Sequence, residues 1–221
     1  MNEPTPTLRA RKHAHTRVAL LRAAVEALAA RAFDDLTVQE LCERAMVSEA
    51  TFFNYFPAKG DLLTYYGQLW GIEAAWHDRR SGRRGLAGID AVFAFAARGM
   101  QERPRLWSEL IAHQLRGGGR SAPAPVDAVE RCVAFPDLDD VESVPEARLD
   151  ALLLPHLEHA VHHGELPANT LVPAALAQLV ALFFGVPVAL LGSRSDGIGH
   201  LYRQALGNLW DGIRTRAAPH G

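Results

Sequence analysis

The chain has 221 residues, 48% of them hydrophobic, and a formal net charge of −2. That is enough for one large domain, or for a small domain joined to a medium one, with ample material for a buried core. Two cysteines, Cys42 and Cys132, form no metal or redox spacing and exclude a disulfide framework. The longest apolar run, Leu179 to Leu191, is interrupted by Gly185 and Pro187 and is too short to cross a bilayer. The N-terminus lacks the charged-then-apolar pattern of a signal peptide. The expected setting is therefore cytoplasmic, with no membrane partner.

The near-neutral balance hides an uneven distribution. Arg9, Arg11, Lys12, Arg17 and Arg22 occupy a segment without an acid between Leu8 and Val25. A local basic stripe is what phosphate contact needs, because salt screens distant charge beyond ~10 Å. The plain reading of the same stripe is a solvated helix face.

Met1 to Thr7 is polar, carries Pro4 and Pro6, and reads as a disordered tail. From His13 to Arg31, Val18, Leu21, Ala24, Val25 and Leu28 recur at helical spacing. Thr37 then precedes Val38, with Glu40 following as the second half of a capping box, which predicts a helix to Arg44. Ser48 is a good N-cap for a third helix to Tyr55 or Phe56. Pro57 ends that helix or begins the next, which runs from Ala58 to about Arg80. Beyond a Gly/Arg-rich loop, helices are expected at Leu86 to Gln101 and Arg105 to Arg116, broken by Pro104. Gly117 to Pro125 reads as a loop, Val126 to Phe135 as a short helix, and Pro136 to Val144 as an acidic irregular stretch. Pro145 to His163, Thr170 to Leu191 and Asp196 to Arg216 complete the helices, with Gly164 as a left-handed cap. No β pattern and no internal repeat is visible. The fold class is all-α.

Two short helices joined by a tight turn behind a longer helix are the signature of a helix-turn-helix. The second short helix projects so that its first residues reach base edges in a major groove. The first can aim its N-terminus, at Thr37, toward a phosphate. Val38, Leu41, Cys42, Ala45, Val47, Phe52 and Phe56 have the spacing of an internal core for this unit.

The run from Thr37 to Leu63 resembles the DNA-binding segment of TetR-type repressors. The resemblance lies in the Ala45-Met46-Val47-Ser48 turn, the Thr51-Phe-Phe-Asn-Tyr55-Phe56 helix and the Lys59-Gly-Asp-Leu-Leu63 start of the following helix. It covers roughly the first third of the chain. It implies a palindromic operator in double-stranded DNA, a homodimer and a small-molecule effector. It also implies that Ser48, Glu49, Ala50 and Thr51 open the recognition helix, that Asn54 and Tyr55 face DNA, and that Lys59 touches backbone. Thr37, Tyr55 and Lys59, with Arg11 and Lys12, are then phosphate-positioning residues. Glu49, Ala50, Thr51 and Asn54 are base readers: Asn pairs with adenine, Glu accepts from cytosine, and Ala or a Thr methyl meets the thymine methyl. For Glu49 a first-turn carboxylate favouring the helix dipole is the equal alternative. The sequence departs from the family at Met46, usually Gly, and at Gly60, usually a charged helix former.

The resemblance and the element order divide the chain into a DNA-binding unit at 1–57, a shared linker helix at 58–80, and a helical ligand-binding and dimerisation domain at 81–221. A helix as apolar as Leu176 to Leu190 must be covered on all sides, and an isologous dimer is the economical cover. Leu179, Phe183, Val186, Leu190, Leu206 and Trp210 are the expected dimer residues. An effector would lie among Trp70, Trp76, Phe93, Trp107, Ile111 and Phe184, with Phe95 as a further apolar neighbour, and would be oriented by His113 and Gln114. His156, His159 and His163 share a helix face with metal-ligand spacing, but no carboxylate or cysteine is forced beside them, and no metal or cofactor is assigned. No Gly-rich phosphate loop, nucleophile elbow or HExxH occurs, so no catalysis is expected. The competing reading is an architectural or partner-binding helical protein whose DNA motif has degenerated at Met46.

Overall fold

The structure, a computed structural model, describes residues 7–118, 124–190 and 197–217. These form ten α-helices and no strand. The expected tail falls outside the described residues apart from Thr7, which is the N-cap of α1 (Leu8–Leu28) and accepts from the Ala10 amide at 3.2 Å. This cap starts α1 ahead of the His13 that periodicity indicated, because the first turns are polar and carry no apolar phase. Next come α2 (Val38–Ala45), α3 (Glu49–Tyr55), α4 (Asp61–Ser81), α5 (Gly85–Glu102) and α6 (Pro104–Leu115). After these come α7 (Ala128–Ala134), a 3-10 turn (Val141–Ser143), α8 (Leu149–His162), α9 (Val172–Ala189) and α10 (Ile198–Ala217). Gly164 follows α8 at φ 73°, as a left-handed cap requires.

Two compact units emerge. One comprises the chain to Glu73 together with Glu109–Glu146; the other comprises Ala74–Ser108 and the chain from Ala147 onward. The division passes through α4, inside the expected linker helix, but α7 and its flanks join the first unit rather than the 81–221 domain.

In the first unit Leu20, Leu41, Phe52, Phe56, Leu62 and Tyr65 have at most 1% exposure. A fully buried side chain of this size contributes about 1.5–3 kcal/mol, so this small core holds the two short helices α2 and α3, which are marginal alone. A second face of α1 packs along α7. Asp127 starts α7 with a complete capping box: its side chain accepts from Glu130 N at 2.8 Å while Glu130 accepts from Asp127 N at 3.2 Å.

In the second unit α5 packs on α8, and α10 on α5 and α9. Glu165 supplies the cap that Arg84 does not, accepting from Leu86 N at 3.0 Å. Gly85, at φ 61°, must lack a Cβ, which would lie 1.9 Å from a Glu165 oxygen. The core is aromatic: the Phe93 ring meets Tyr202 edge-on at 4.9 Å and Phe183 at 5.6 Å.

α9 runs through Pro187 despite the cost of proline inside a helix. Pro187 has no N–H to give the Phe183 carbonyl one turn back. The Tyr202 hydroxyl donates to that carbonyl instead, at 2.7 Å. The vacant acceptor is thus satisfied from α10, and burial pushes the Tyr202 phenol above its ordinary pKa, keeping it a donor. The expected helix over this stretch is therefore continuous through Pro187, and, contrary to the expectation of an apolar run interrupted at Gly185 and Pro187, its 18 residues have a mean hydropathy of 2.0, long and apolar enough to cross a membrane by length and composition alone. Only Ala175, Leu179 and Phe183 of it are buried.

Tyr202→Phe should leave the Phe183 carbonyl buried without a partner and lower stability by about 1–3 kcal/mol. A urea unfolding midpoint equal to that of the parent protein would refute this account of Pro187.

Candidate nucleic-acid interface

The first unit builds a helix-turn-helix from its caps inward. Thr37 accepts from Glu40 N at 3.2 Å and starts α2. The expected return half of that box is replaced, because the Glu40 carboxylate pairs with Arg31 and, at 3.2 Å, with Arg44. Arg31 beside Glu40 holds its carboxyl below the usual range. Ser48 starts α3, accepting from Thr51 N at 3.1 Å, and the two hydroxyls meet at 2.9 Å.

Between the helices Met46 adopts φ 57°, ψ 44° as the left-handed cap of α2. This is the conformation that glycine takes without strain. Met46 is 91% exposed, so its side chain meets no obstacle, and the departure costs backbone energy without deforming the turn. Val47 N donates to Cys42 O at 2.9 Å, closing it.

α3 then presents one face outward. Phe52 is fully buried against Phe56, with ring centroids 5.7 Å apart. Glu49, Ala50, Phe53 and Asn54 are exposed on the other side, and Thr51 is half-buried. Phe53, 48% exposed, joins this face although its aromatic character suggested core. The signal was its offset of one residue from Phe52, which turns it away by about 100°. Tyr55 is half-buried, its ring 4.8 Å from that of His13 on α1.

The structure redistributes the basic residues. Arg9, Arg11 and Lys12 are exposed on α1. Arg17 is buried and Arg22 donates to Val133 O at 3.1 Å, so both turn toward α7 rather than solvent phosphate. The Lys59 ammonium donates to the Phe33 and Leu36 carbonyls at 2.7 Å and to Asp34 O at 3.3 Å. It also sits 4.8 Å from the Phe33 ring centroid. Its three donors are committed to the α1–α2 loop, and it ties that loop to the start of α4.

The expected effector residues fall in both units. Trp70, Ile111, His113 and Gln114 belong to the first unit, and Trp76, Phe93, Phe95, Trp107 and Phe184 to the second. His113 meets the Thr64 hydroxyl at 2.9 Å. It explains Gly60, whose Cβ would lie 3.1 Å from the His113 ring; the departure from the family pattern makes room for this histidine. Burial lowers the His113 pKa. Phe93 and Trp107 are buried beside Phe183, and Phe184 is half-buried, its ring 5.3 Å from that of Phe183. Trp76 and Phe95 each lie against His77, at 5.0 and 4.8 Å.

Four expected dimer residues, Leu179, Phe183, Leu206 and Trp210, are buried within the second unit itself, at 6% exposure or less. Val186 and Leu190 are half-buried. An apolar helix offers no phase by pattern alone, and the large residues took the inner face. The outward face of α9 is Pro173, Ala174, Ala177, Gln178, Ala181, Gly185, Val188 and Ala189, small and apolar but for Gln178.

The histidine face of α8 also separates. His156 is buried and pairs with Asp78 at 3.0 Å, whereas His159 and His163 stack at 3.8 Å. Among the described residues the metal-ligand types converge only at His13, Asp127 and Glu130. There the Glu130 carboxylate is committed to Arg17, Tyr65 and the Asp127 amide.

Residues 20–66, spanning the end of α1, α2, α3 and the start of α4, match the family of bacterial regulatory proteins called tetR. The chain carries a tetR-family DNA-binding unit. No curated protein matches it in sequence. Solved structures, tetR-family regulators among them, share its fold across nearly the whole chain. The Thermus thermophilus repressor FadR, solved with lauroyl-CoA, is 24% identical, with a TM-score of 0.65 over 93% of this chain and 98% of its own. A regulator from Rhodococcus sp. RHA1 is 21% identical, with a TM-score of 0.55 over 90% and 96%. Salmonella enterica GusR is 20% identical, with a TM-score of 0.54 over 95% and 100%. The tetR helix-turn-helix is thus the part matched by sequence as well as by fold.

Met46→Gly should raise the stability of this tetR unit by about 1 kcal/mol, since a non-glycine residue at positive φ costs about that much. Urea unfolding measures it, and no gain would mean that the turn is unstrained. Lys59→Met should lower stability by about 1–3 kcal/mol through the carbonyls it leaves. The salt dependence of DNA binding should stay unchanged, and a shallower slope would instead make Lys59 a phosphate contact.

Proposed function

We propose that the protein is a TetR-type transcriptional repressor that binds a palindromic operator as a homodimer and is released by a small apolar or amphipathic effector. The observation that carries this reading is the outward face of α3, Glu49, Ala50, Phe53 and Asn54, capped by Ser48 inside the segment that matches the tetR family. These side chains are the kind that read base edges and thymine methyls. Arg11 and Lys12, and the Thr37 start of α2, supply phosphate positioning. The left-handed Met46 cap, with the turn closed behind it, supports a working motif rather than a degenerate one.

A second copy is the cover we propose for the outward face of α9. Its small residues let two helices approach closely, and a face this apolar is unfavourable in water. The effector class is argued from the aromatic interior of the second unit, where Phe93, Trp107 and Phe184 surround Phe183. The lauroyl-CoA of the Thermus repressor makes long-chain acyl thioesters the first compounds to try. We propose no catalytic role, and place the protein in the cytoplasm with its operator.

Selection of duplexes from a random library, at two salt concentrations, tests the reading. A pseudo-palindromic consensus with half-sites about one helical turn apart, ~34 Å, is expected; no enrichment at either salt would sink it. On the selected duplex Asn54→Ala should cost about 1–3 kcal/mol and relax one base position. Lys12→Ala should weaken all sequences alike and reduce the salt slope by about 1.

A further inference from the structure

The match to the tetR family ends at residue 66, yet the first unit continues with a helix from the middle of the chain. α7 lies along α1, and the contact contains two charges almost removed from water. Arg17 is 3% exposed and Glu130 0%. The guanidinium reaches both carboxylate oxygens, at 3.0 and 3.1 Å. Tyr65 of α4 donates to the same carboxylate at 3.1 Å, and burial pushes its phenol above the ordinary range. The Arg17 guanidinium lies 4.3 Å from the Tyr65 ring centroid and 5.4 Å from that of Phe56, the C-cap of α3.

A second line leaves α7 through His13. Its ring nitrogen lies with the Asp127 and Glu130 oxygens in one group within 4.8 Å, and its ring edge packs on Tyr55, the last residue of α3. Glu130 thus stands at the head of two short paths to the end of the recognition helix. On α1 the exposed Arg11 and Lys12 precede Arg17 by only ~8–9 Å of helix.

A buried ion pair is poor at stabilising a fold compared with apolar residues of the same shape. What it does is reject other registers, since a slip or rotation of α1 strands two charges in the core. We infer that Glu130 is a positioning residue for DNA binding: through Arg17 it fixes the setting of α1 and the end of α3, so α7 acts as a clamp on the DNA-reading unit. This inference rests on the operator reading above and adds to it a residue far away in sequence.

The test compares the full-length protein with Glu130→Gln and with Arg17→Met/Glu130→Leu on the selected duplex. The double variant fills the site without charge and should unfold cooperatively at a temperature no lower than the parent. It should nonetheless bind about tenfold more weakly or worse, with a salt slope reduced by about 1 as α1 contacts become unreliable. A folded double variant binding within about twofold of the parent overturns the inference. Glu130→Gln is read without DNA, by amide exchange over Leu8–Arg17. Exchange there should be about tenfold faster or more, with α8 to α10 unchanged; equal rates overturn the inference. If Glu130→Gln does not fold, the double variant decides. If the parent protein selects no duplex, the operator reading fails and amide exchange alone decides the role of Glu130.

Discussion

Two opposite charges with almost no access to water impose the strictest geometry in the first unit. Arg17 and Glu130 each require the other, and each also requires an aromatic neighbour from α3 or α4. Leaving either unpaired in the core costs several kcal/mol, so α1, α4 and α7 are held in one register. The short helices α2 and α3 rely on this frame. They are too short to be stable alone, and they are held by caps at Thr37 and Ser48, by Phe52, and by the Lys59 clamp on the α1–α2 loop.

The second unit solves a different problem. α9 is apolar on every side, and Pro187 interrupts its hydrogen bonds. The Tyr202 hydroxyl replaces the missing donor, so one polar contact in an aromatic core keeps the helix continuous. Its large side chains go inward and its small ones outward, which leaves a mostly apolar outer face.

Departures from a family pattern proved informative in both directions. Met46 occupies a conformation that favours glycine and simply bears the cost, because its side chain is in open solvent. Gly60, in place of a helix former, gives room to the His113 ring, which a Cβ would crowd at 3.1 Å. The first departure is visible from sequence alone. The second has a reason only once α6 is laid against α4.

The sequence by itself determined the local features of this protein. Thr37, Ser48 and Gly164 announce helix ends through hydrogen bonds to nearby residues, and the helix-turn-helix is encoded within some thirty consecutive positions. The helical class follows from such short-range rules, while the DNA-facing Glu49, Ala50 and Asn54 were expected from the resemblance of that segment to a known family. Only the tertiary structure decided matters of phase and long-range pairing. Arg17 reads as part of a phosphate-facing basic stripe, and the family resemblance makes Lys59 a backbone contact, but partners distant in sequence claim both, Glu130 for one and the Phe33 to Leu36 carbonyls for the other. Leu179 and Phe183 look like an interface because a uniformly apolar helix has no preferred face until its neighbours are placed, and Leu206 and Trp210 of α10 are likewise claimed by the core of the second unit. Charge and hydrophobicity are properties of a residue; what satisfies them is a property of the fold.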